Sequence, residues 1–198
     1  MISFKNNNKS KPFIWIRNLY KKALNSNQQN IEAISIASYN KHLNEVNSRY
    51  VNLKIVDDKN FIFFTNYNSP KSLEFRSHEQ ISAVIFWPAI STQIRMKARI
   101  KKTPIDYNNT YFKSRDKGKN ILAISSNQSK VIESYDKVKE KYKKIELGNE
   151  LLKCPEYWGG FTFTPYEIEF WKGERNRLNK RDFFRKNKKN WKHYILEP

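Results

Sequence analysis

The chain holds one cysteine, Cys154, so no internal disulfide can form. Histidine is scarce too: His42, His78 and His193 stand far apart without metal-ligand spacing, and a surface position is the simplest reading of each. No apolar run approaches the length of a membrane-spanning helix. The first residues, Met1 to Lys9, lack the apolar core and small-residue cleavage site of a signal peptide, so a cytoplasmic protein is the default expectation. There is no Gly-x-Gly-x-x-Gly, and Gly118-Lys119 is followed by Asn120 rather than completing a phosphate loop. No Gly-x-Ser-x-Gly elbow occurs. These absences argue against metal hydrolysis, nucleotide hydrolysis and triad chemistry. An enzyme of this composition would rely on a bound organic cofactor.

Acidic residues are also few. Against 38 lysines and arginines stand 19 carboxylates, leaving a formal charge of +19. Such an excess draws polyanions whatever the fold, and nucleic acid is one partner to weigh. The sequence is equally rich in Asn, Lys and Ile, as chains from AT-rich genomes are, and many lysines then form only a solvated surface. With 198 residues, 38% of them hydrophobic and 15% aromatic, the chain can bury a real core as one domain.

In chain order, residues 1–11 read as a mobile polar tail and 12–198 as a single domain. Ile16, Leu19, Tyr20, Ala23 and Leu24 recur at helical spacing, predicting a helix over 12–26 that opens on Pro12. Ile31–Tyr39 reads as a strand and Asn40–Ser48 as its loop. Arg49–Val56 and Phe61–Thr65 form the clearest hairpin, around Asp57–Asn60. Ser69-Pro70 opens a short helix to about Ser77. Ile81–Trp87 and Gln93–Lys101 are strands split by Pro88, and Thr103-Pro104-Ile105-Asp106 opens another helix with Thr103 as its cap. Gly118 is expected to interrupt helical structure. Val131, Tyr135, Val138 and Tyr142 predict a helix over 129–144 with one apolar face. Gly148–Pro155 reads as a linker, and Phe183–Lys186 and Trp191–Leu196 as a last strand pair. A mainly antiparallel β core with helices inserted between strands suits a small barrel.

The stretch Trp158–Arg181 organises the rest. It is expected to open on a tight Gly159-Gly160 turn, to continue through two aromatic-rich strand segments, and to end in Arg175, Arg177 and Arg181. Aromatic planes beside guanidinium groups suit a flat anionic ligand, either a nucleotide cofactor or a nucleic acid. Tyr111 and Arg115, four apart, would share a helix face and meet one phosphate together. Arg49 and Lys54 would lie about 16 Å apart on opposite strand faces unless a bulge intervenes. Taken singly, Trp171 could equally be a core aromatic and Gln93 a polar strand residue facing water.

Several motifs recur in a fixed order: Arg49-Tyr-Val-Asn-Leu-Lys54, Phe64-Thr-Asn, Ser69-Pro-Lys71, Thr92-Gln-Ile-Arg95, Tyr111-Phe-Lys-Ser-Arg115, Asn127-Gln-Ser129, Trp158-Gly-Gly-Phe, Ile168-Glu-Phe-Trp171, Asn176-Arg-Leu178 and Arg181. In order and spacing these resemble the pyridoxamine 5′-phosphate oxidase family over residues 12–198. The resemblance implies a split β-barrel and a homodimer binding flavin mononucleotide (FMN) at the subunit interface. It also implies oxidation of pyridoxamine or pyridoxine 5′-phosphate to pyridoxal 5′-phosphate, with oxygen reoxidising the flavin. Carried over by position, Arg49 and Lys71 hold the flavin phosphate and Lys54 lies near the ring. Phe64 and Thr65 give mostly backbone contacts, and Gln93, Gln128, Ser129, Trp171 and Arg181 complete the flavin site. Lys54, Tyr111, Arg115, Lys119, Arg177 and Asn179 face the substrate, with Arg177 and Asn179 at the reacting group.

Four positions depart from the family pattern. Pro70 replaces an arginine beside Lys71, Lys119 replaces a serine, and Asn179-Lys180 replaces His-Asp. Asparagine hydrogen-bonds but cannot carry a proton near neutral pH. Two other readings therefore stay open. One is an FMN-binding relative with another substrate. The other is a nucleic-acid-binding protein using the basic stretch Arg185–Lys192.

Overall fold

In a computed structural model of the protein, which describes residues 1–148 and 150–198, the chain is a β structure with inserted helices. The strands are β1 (Ser3–Lys5), β2 (Ala33–Asn40), β3 (Glu45–Asp57), β4 (Asn60–Asn66), β5 (Gln80–Trp87), β6 (Thr92–Lys102), β7 (Trp158–Lys172), β8 (Lys180–Asn187) and β9 (Asn190–Ile195). The helices are α1 (Lys11–Asn25), α2 (Pro70–Ser77), α3 (Ile105–Lys113), α4 (Lys117–Ser125) and α5 (Tyr135–Glu146).

The pairings close a ring. β3 joins β2 and β4, β2 joins β5, β5 joins β6, β6 joins β7, and β7 returns to β4. One edge of β7 follows β6 from Phe161 to Lys172, while its other edge divides: residues 158–163 pair with β4 and 167–172 with β8. The ring thus splits along β7, and the β8–β9 hairpin extends outward from the second half. This is the split barrel that the sequence predicts.

Alternation explains why these segments are strands. In β5, Ile81, Ala83, Ile85 and Trp87 are buried; in β6, Ile94, Met96, Ala98 and Ile100 are buried while Arg95, Lys97 and Arg99 face out. Phe61, Phe63, Phe161 and Phe163 fill the interior, with Phe61 stacked on Phe163 at 5.1 Å between centroids. Each such ring contributes about 2–3 kcal/mol by leaving water. Helix α1 carries Pro12 in its first turn and packs Phe13, Ile16, Tyr20 and Ala23 against this core. Its Trp15 meets Phe170 and Phe184 edge-on, each at 5.3 Å.

Several local expectations are corrected. Gly159 and Gly160 form no turn; both lie inside β7, one continuous strand of 15 residues. A Cβ on Gly159 would come within 2.3 Å of the Tyr67 hydroxyl, and one on Gly160 within 2.6 Å of Thr103 Oγ1. Close approach, not backbone turning, requires glycine there. The supposed tail at 1–11 is fastened instead: β1 pairs in parallel with β3, and Ile2 is buried in the core. The supposed loop 40–48 is mostly hairpin, because β3 begins at Glu45 and pairs with β2 from Asn40.

The helical region differs in detail. Thr103 does not cap α3; its hydroxyl lies 2.5 Å from Asn108 Oδ1 and 3.0 Å from the Gly160 carbonyl, tying α3 to β7. Gly118 lies inside α4, and the break falls at Ser114–Asp116 instead. The last helix starts at Tyr135, leaves Val131 outside and exposed, and buries none of its residues. Asn149, within the expected linker, lies outside the described residues.

Candidate functional site

A cavity of about 600 Å³ opens beside β3, β4 and the loop after α3. Its walls bring together Lys54, Phe64, Thr65, Lys71, Tyr111, Arg115, Lys119 and Gln128, all expected from the sequence, and add Glu32 and Trp158. An adjoining space of about 400 Å³ shares Phe64, Arg115, Lys119, Gln128 and Trp158 and continues to α4.

Three rings make the floor. Phe64 stacks on Tyr111 at 3.7 Å and on Trp158 at 5.3 Å, all within 8° of parallel. The Phe64 side chain therefore contributes directly, beyond the backbone contacts expected of it. Trp158 is placed by the Gly159-Gly160 approach, since β7 must press against Tyr67 and Thr103 to bring it here. Arg115 lies over Trp158, its guanidinium carbon 4.4 Å from the ring centre. Arg115 falls just beyond α3, past Ser114, so the shared helix face with Tyr111 is replaced by this stacking.

The electrostatics favour an anion. Arg115 Nη2 donates to the Lys119 carbonyl at 3.2 Å, whereas Nη1 is buried with no partner among the described residues. A buried guanidinium nitrogen without an acceptor fits a negatively charged oxygen. Burial pulls the Arg115 pKa down and pushes that of Tyr111 up. Gln128 Oε1 accepts from Thr65 Oγ1 and from the Asn66 amide, both at 3.2 Å, fixing the amide at the rim. Ser129, its neighbour, adopts a left-handed φ of 69° and lies outside the cavity lining.

Lys71 sits at the first turn of α2, 8% exposed, donating to Ser69 Oγ at 2.9 Å. Burial first, and the charge of Arg49 second, push its pKa down to about 8, with Glu74 offsetting in part. Arg49 does not line the cavity. Its Nη2 donates to the buried Glu74 carboxylate at 2.7 Å and its Nη1 to Ser38 Oγ at 2.5 Å. Pro70, where the family pattern has arginine, is the exposed first residue of α2 and brings no charge. The β3–β4 register shifts at a bulge between Leu53 and Ile55, yet of Arg49 and Lys54 only Lys54 lines the cavity.

Glu32 and Glu74 were invisible to sequence reasoning. Glu32 accepts from Lys54 Nζ at 2.5 Å, and its other oxygen meets the N-terminal ammonium. Partial burial works to raise the Glu32 carboxyl, yet Lys54 and that ammonium together hold it below the usual carboxylate range. Each partner lies more than 20 residues away in the chain, so no local pattern marks either acid. The nearest available signal for Glu74 was its place three residues after Lys71, in a short helix.

The remaining expected residues gather elsewhere. Gln93, Trp171 and Arg181 are directly cross-strand neighbours on β6, β7 and β8. Arg181 Nε donates to Glu169 at 2.8 Å, and Arg95 reaches the same carboxylate at 3.3 Å. Arg177 and Asn179 lie on the connection between β7 and β8. Asn176 and Arg177 are both left-handed there, with φ of 58° and 62°, and Asn179 Oδ1 accepts from the Glu174 amide at 3.2 Å. Asn179 and Arg181 line a separate cleft of about 390 Å³ with residues 195–198. Within one chain the site residues thus form two groups. Among the described residues no cluster of His, Cys, Asp and Glu has the form of a metal site.

Comparisons with known proteins bear on this arrangement. Residues 158–198 match the family described as pyridoxine 5′-phosphate oxidase C-terminal dimerisation region. A pyridoxine/pyridoxamine 5′-phosphate oxidase of Colwellia psychrerythraea is 36% identical over 84% of this chain and 77% of its own length. One from Christiangramia forsetii is 36% identical over 94% and 88%. Among solved structures, PhzG from Burkholderia lata, crystallised with tetrahydrophenazine-1-carboxylic acid, superposes with a TM-score of 0.89 at 22% identity. It covers 96% of this chain and 93% of its own. That likeness speaks for the fold.

Proposed function

The chain belongs to the pyridoxine/pyridoxamine 5′-phosphate oxidase family, and from that membership we propose that it is an FMN-dependent oxidase converting pyridoxamine or pyridoxine 5′-phosphate to pyridoxal 5′-phosphate. The observation that carries this reading is the cavity in which Lys54, Lys71, Arg115 and Lys119 surround the parallel rings of Phe64, Tyr111 and Trp158. Flat rings offer a stacking surface, and the surrounding cations suit phosphate esters. The buried, unpartnered Arg115 Nη1 marks where an anionic oxygen fits.

Bound flavin would supply the two-electron acceptor. Lys71, with Arg49 behind it, holds the flavin phosphate; Thr65 and Gln128 offer polar contacts along the ring system. Arg115 and Lys119 hold the substrate phosphate, and Tyr111 orients the substrate ring. Gln93, Trp171, Arg177, Asn179 and Arg181 complete the same site from a second copy of the chain. This accounts for the two separated groups and accords with the C-terminal match to a dimerisation region. What the protein contributes is orientation and neutralisation of two phosphates.

Purified protein supplied with FMN, oxygen and pyridoxamine 5′-phosphate should yield pyridoxal 5′-phosphate, seen as its absorbance. Bound flavin without product above a flavin-only control would overturn the reading. It would favour an FMN-binding relative with another substrate, a course to which Asn179 already points by bonding to its own loop.

A further inference from the structure

The cavity contains two carboxylates among its cations, and they are differently engaged. Asp116 belongs to helix α4, where its Oδ1 accepts from the Lys119 amide at 3.3 Å. Glu32 precedes β2 and caps no helix; its carboxylate lies between Lys54 and the N-terminal ammonium. It grips Lys54 at 2.5 Å, with 23% of the Glu32 side chain and 27% of the Lys54 side chain exposed. The positive charge of Lys54 is therefore already matched inside the cavity. Arg115, by contrast, meets a carbonyl and the faces of Trp158 and Phe112, and neither it nor Lys119 makes an ion pair among the described residues.

We propose that Glu32 is a specificity-determining residue: by neutralising Lys54 it shifts the seat of the substrate's phosphate to Arg115 and Lys119. This rests on the reading that the cavity takes a phosphorylated aromatic substrate. It also gives Lys119 a purpose. The lysine at this position adds a positive charge to a cavity that Glu32 makes less positive. The recognised chemistry is a phosphate monoester on a flat ring, and it could belong to the substrate or to the flavin.

The test is calorimetric titration of phenyl phosphate into the full-length protein, flavin-free and FMN-loaded. Glu32→Gln keeps a hydrogen-bonding group beside Lys54 but removes the charge, and should tighten phenyl phosphate binding about fivefold to tenfold in both forms. Lys54→Met alone uncovers the Glu32 carboxylate and should weaken binding about fivefold to tenfold, whereas the combined Glu32→Gln, Lys54→Met variant should return to within about twofold of wild type. Lys119→Met should weaken binding about tenfold. No gain from Glu32→Gln, or a combined Glu32→Gln, Lys54→Met variant that binds as weakly as Lys54→Met alone, overturns the proposal. A gain seen only without flavin also overturns it, because the seat would then hold the cofactor's phosphate. Should Glu32→Gln fold poorly, the shorter Glu32→Asp is expected to give a smaller gain of the same sign, and no gain there counts against the proposal. Binding and turnover separate the two readings. The Glu32 effect without oxidation of pyridoxamine 5′-phosphate leaves this inference standing and removes the oxidase reading; oxidation without the effect does the reverse.

Discussion

The two groups of site residues are built by different physics. The cavity group is held by close packing. Glycines admit Tyr67 and Thr103 into β7, three rings stack in parallel, and Lys71 and Glu74 are almost wholly buried. The strand-row group is held by register. Gln93, Trp171 and Arg181 meet because three antiparallel strands align them, and the charge of Arg181 is balanced by Glu169, which Arg95 also reaches. A packed site tolerates little change, whereas a registered row presents groups outward, ready for a second surface. The family match to a dimerisation region, residues 158–198, takes in Trp171 and Arg181 of this row as well as Trp158 of the cavity.

The largest expected effect tests whether the two groups serve one site. Arg115→Ala and Arg177→Ala should each lower kcat/KM at least about 100-fold, near 2.7 kcal/mol in transition-state stabilisation. If one copy supplies the cavity and the other the row, mixed and reassociated variants should recover about a quarter of wild-type activity. Half the dimers are then mixed, and each carries one intact site. No recovery on mixing would place both groups in the site of a single chain.

Packing against register also sorts the glycines. Gly159→Ala forces a Cβ to 2.3 Å from the Tyr67 hydroxyl, with Asn108 at 2.5 Å, and should cost about 1–3 kcal/mol through overpacking. Gly173→Ala, at the start of the β7–β8 connection, meets nothing nearer than the Trp171 ring at 3.1 Å. It should cost less than about 1 kcal/mol, since a ring edge can shift slightly. Urea midpoints of the two variants measure the contrast, and equal losses would erase it.

These glycines also show what the sequence could and could not disclose. β5 and β6 were legible because strict alternation surrounds Pro88, and α2 because a proline follows a serine. Gly159-Gly160 looked like a turn because flexibility is the local meaning of paired glycine. Its actual cause, contact with Tyr67 and Thr103, is written far away in the chain. The polar run 40–48 hid a hairpin for a similar reason, since β2 supplies the pairing that its composition does not advertise. Side chains of the cavity were legible through motif order; the acids Glu32 and Glu74 were not, because buried charge pairing is a property of the folded surface.

A pH series separates the halves more gently. Lys71 has its pKa depressed to about 8, chiefly by burial, so the folded state holds this proton less firmly than the unfolded state does. Its charge therefore costs stability below pH about 8, and the cost is relieved as pH rises through that value toward the usual lysine range near 10.4. Binding runs the other way. A phosphate dianion needs charged Lys71, so affinity for FMN should fall above pH about 8, by up to about tenfold per pH unit. Lys71→Met should flatten that profile while binding more weakly at neutral pH. An unchanged profile in Lys71→Met would assign the pH dependence to another group.

A last contrast lies within the row itself, where two neighbouring rungs differ in burial, and its exposed rung carries the smallest expected effect. Glu169 is 8% exposed and answers both Arg95 and Arg181, so Glu169→Ala leaves two guanidinium groups without their shared partner. A loss of about 1.5–3 kcal/mol in unfolding free energy is expected, as for hydrogen bonds to charged groups. The next rung joins Lys97 and Arg185 to Glu167, but the Lys97 side chain is 61% exposed. Solvent screens that pair, so Lys97→Ala should cost no more than about 0.5 kcal/mol, and less at high salt. If Lys97→Ala instead proved as costly as Glu169→Ala, and the cost rose with protein concentration, the Lys97 rung would have to be buried against a second subunit. The comparison would then sharpen, because the outward row would be an interface along both rungs and not only at the buried one.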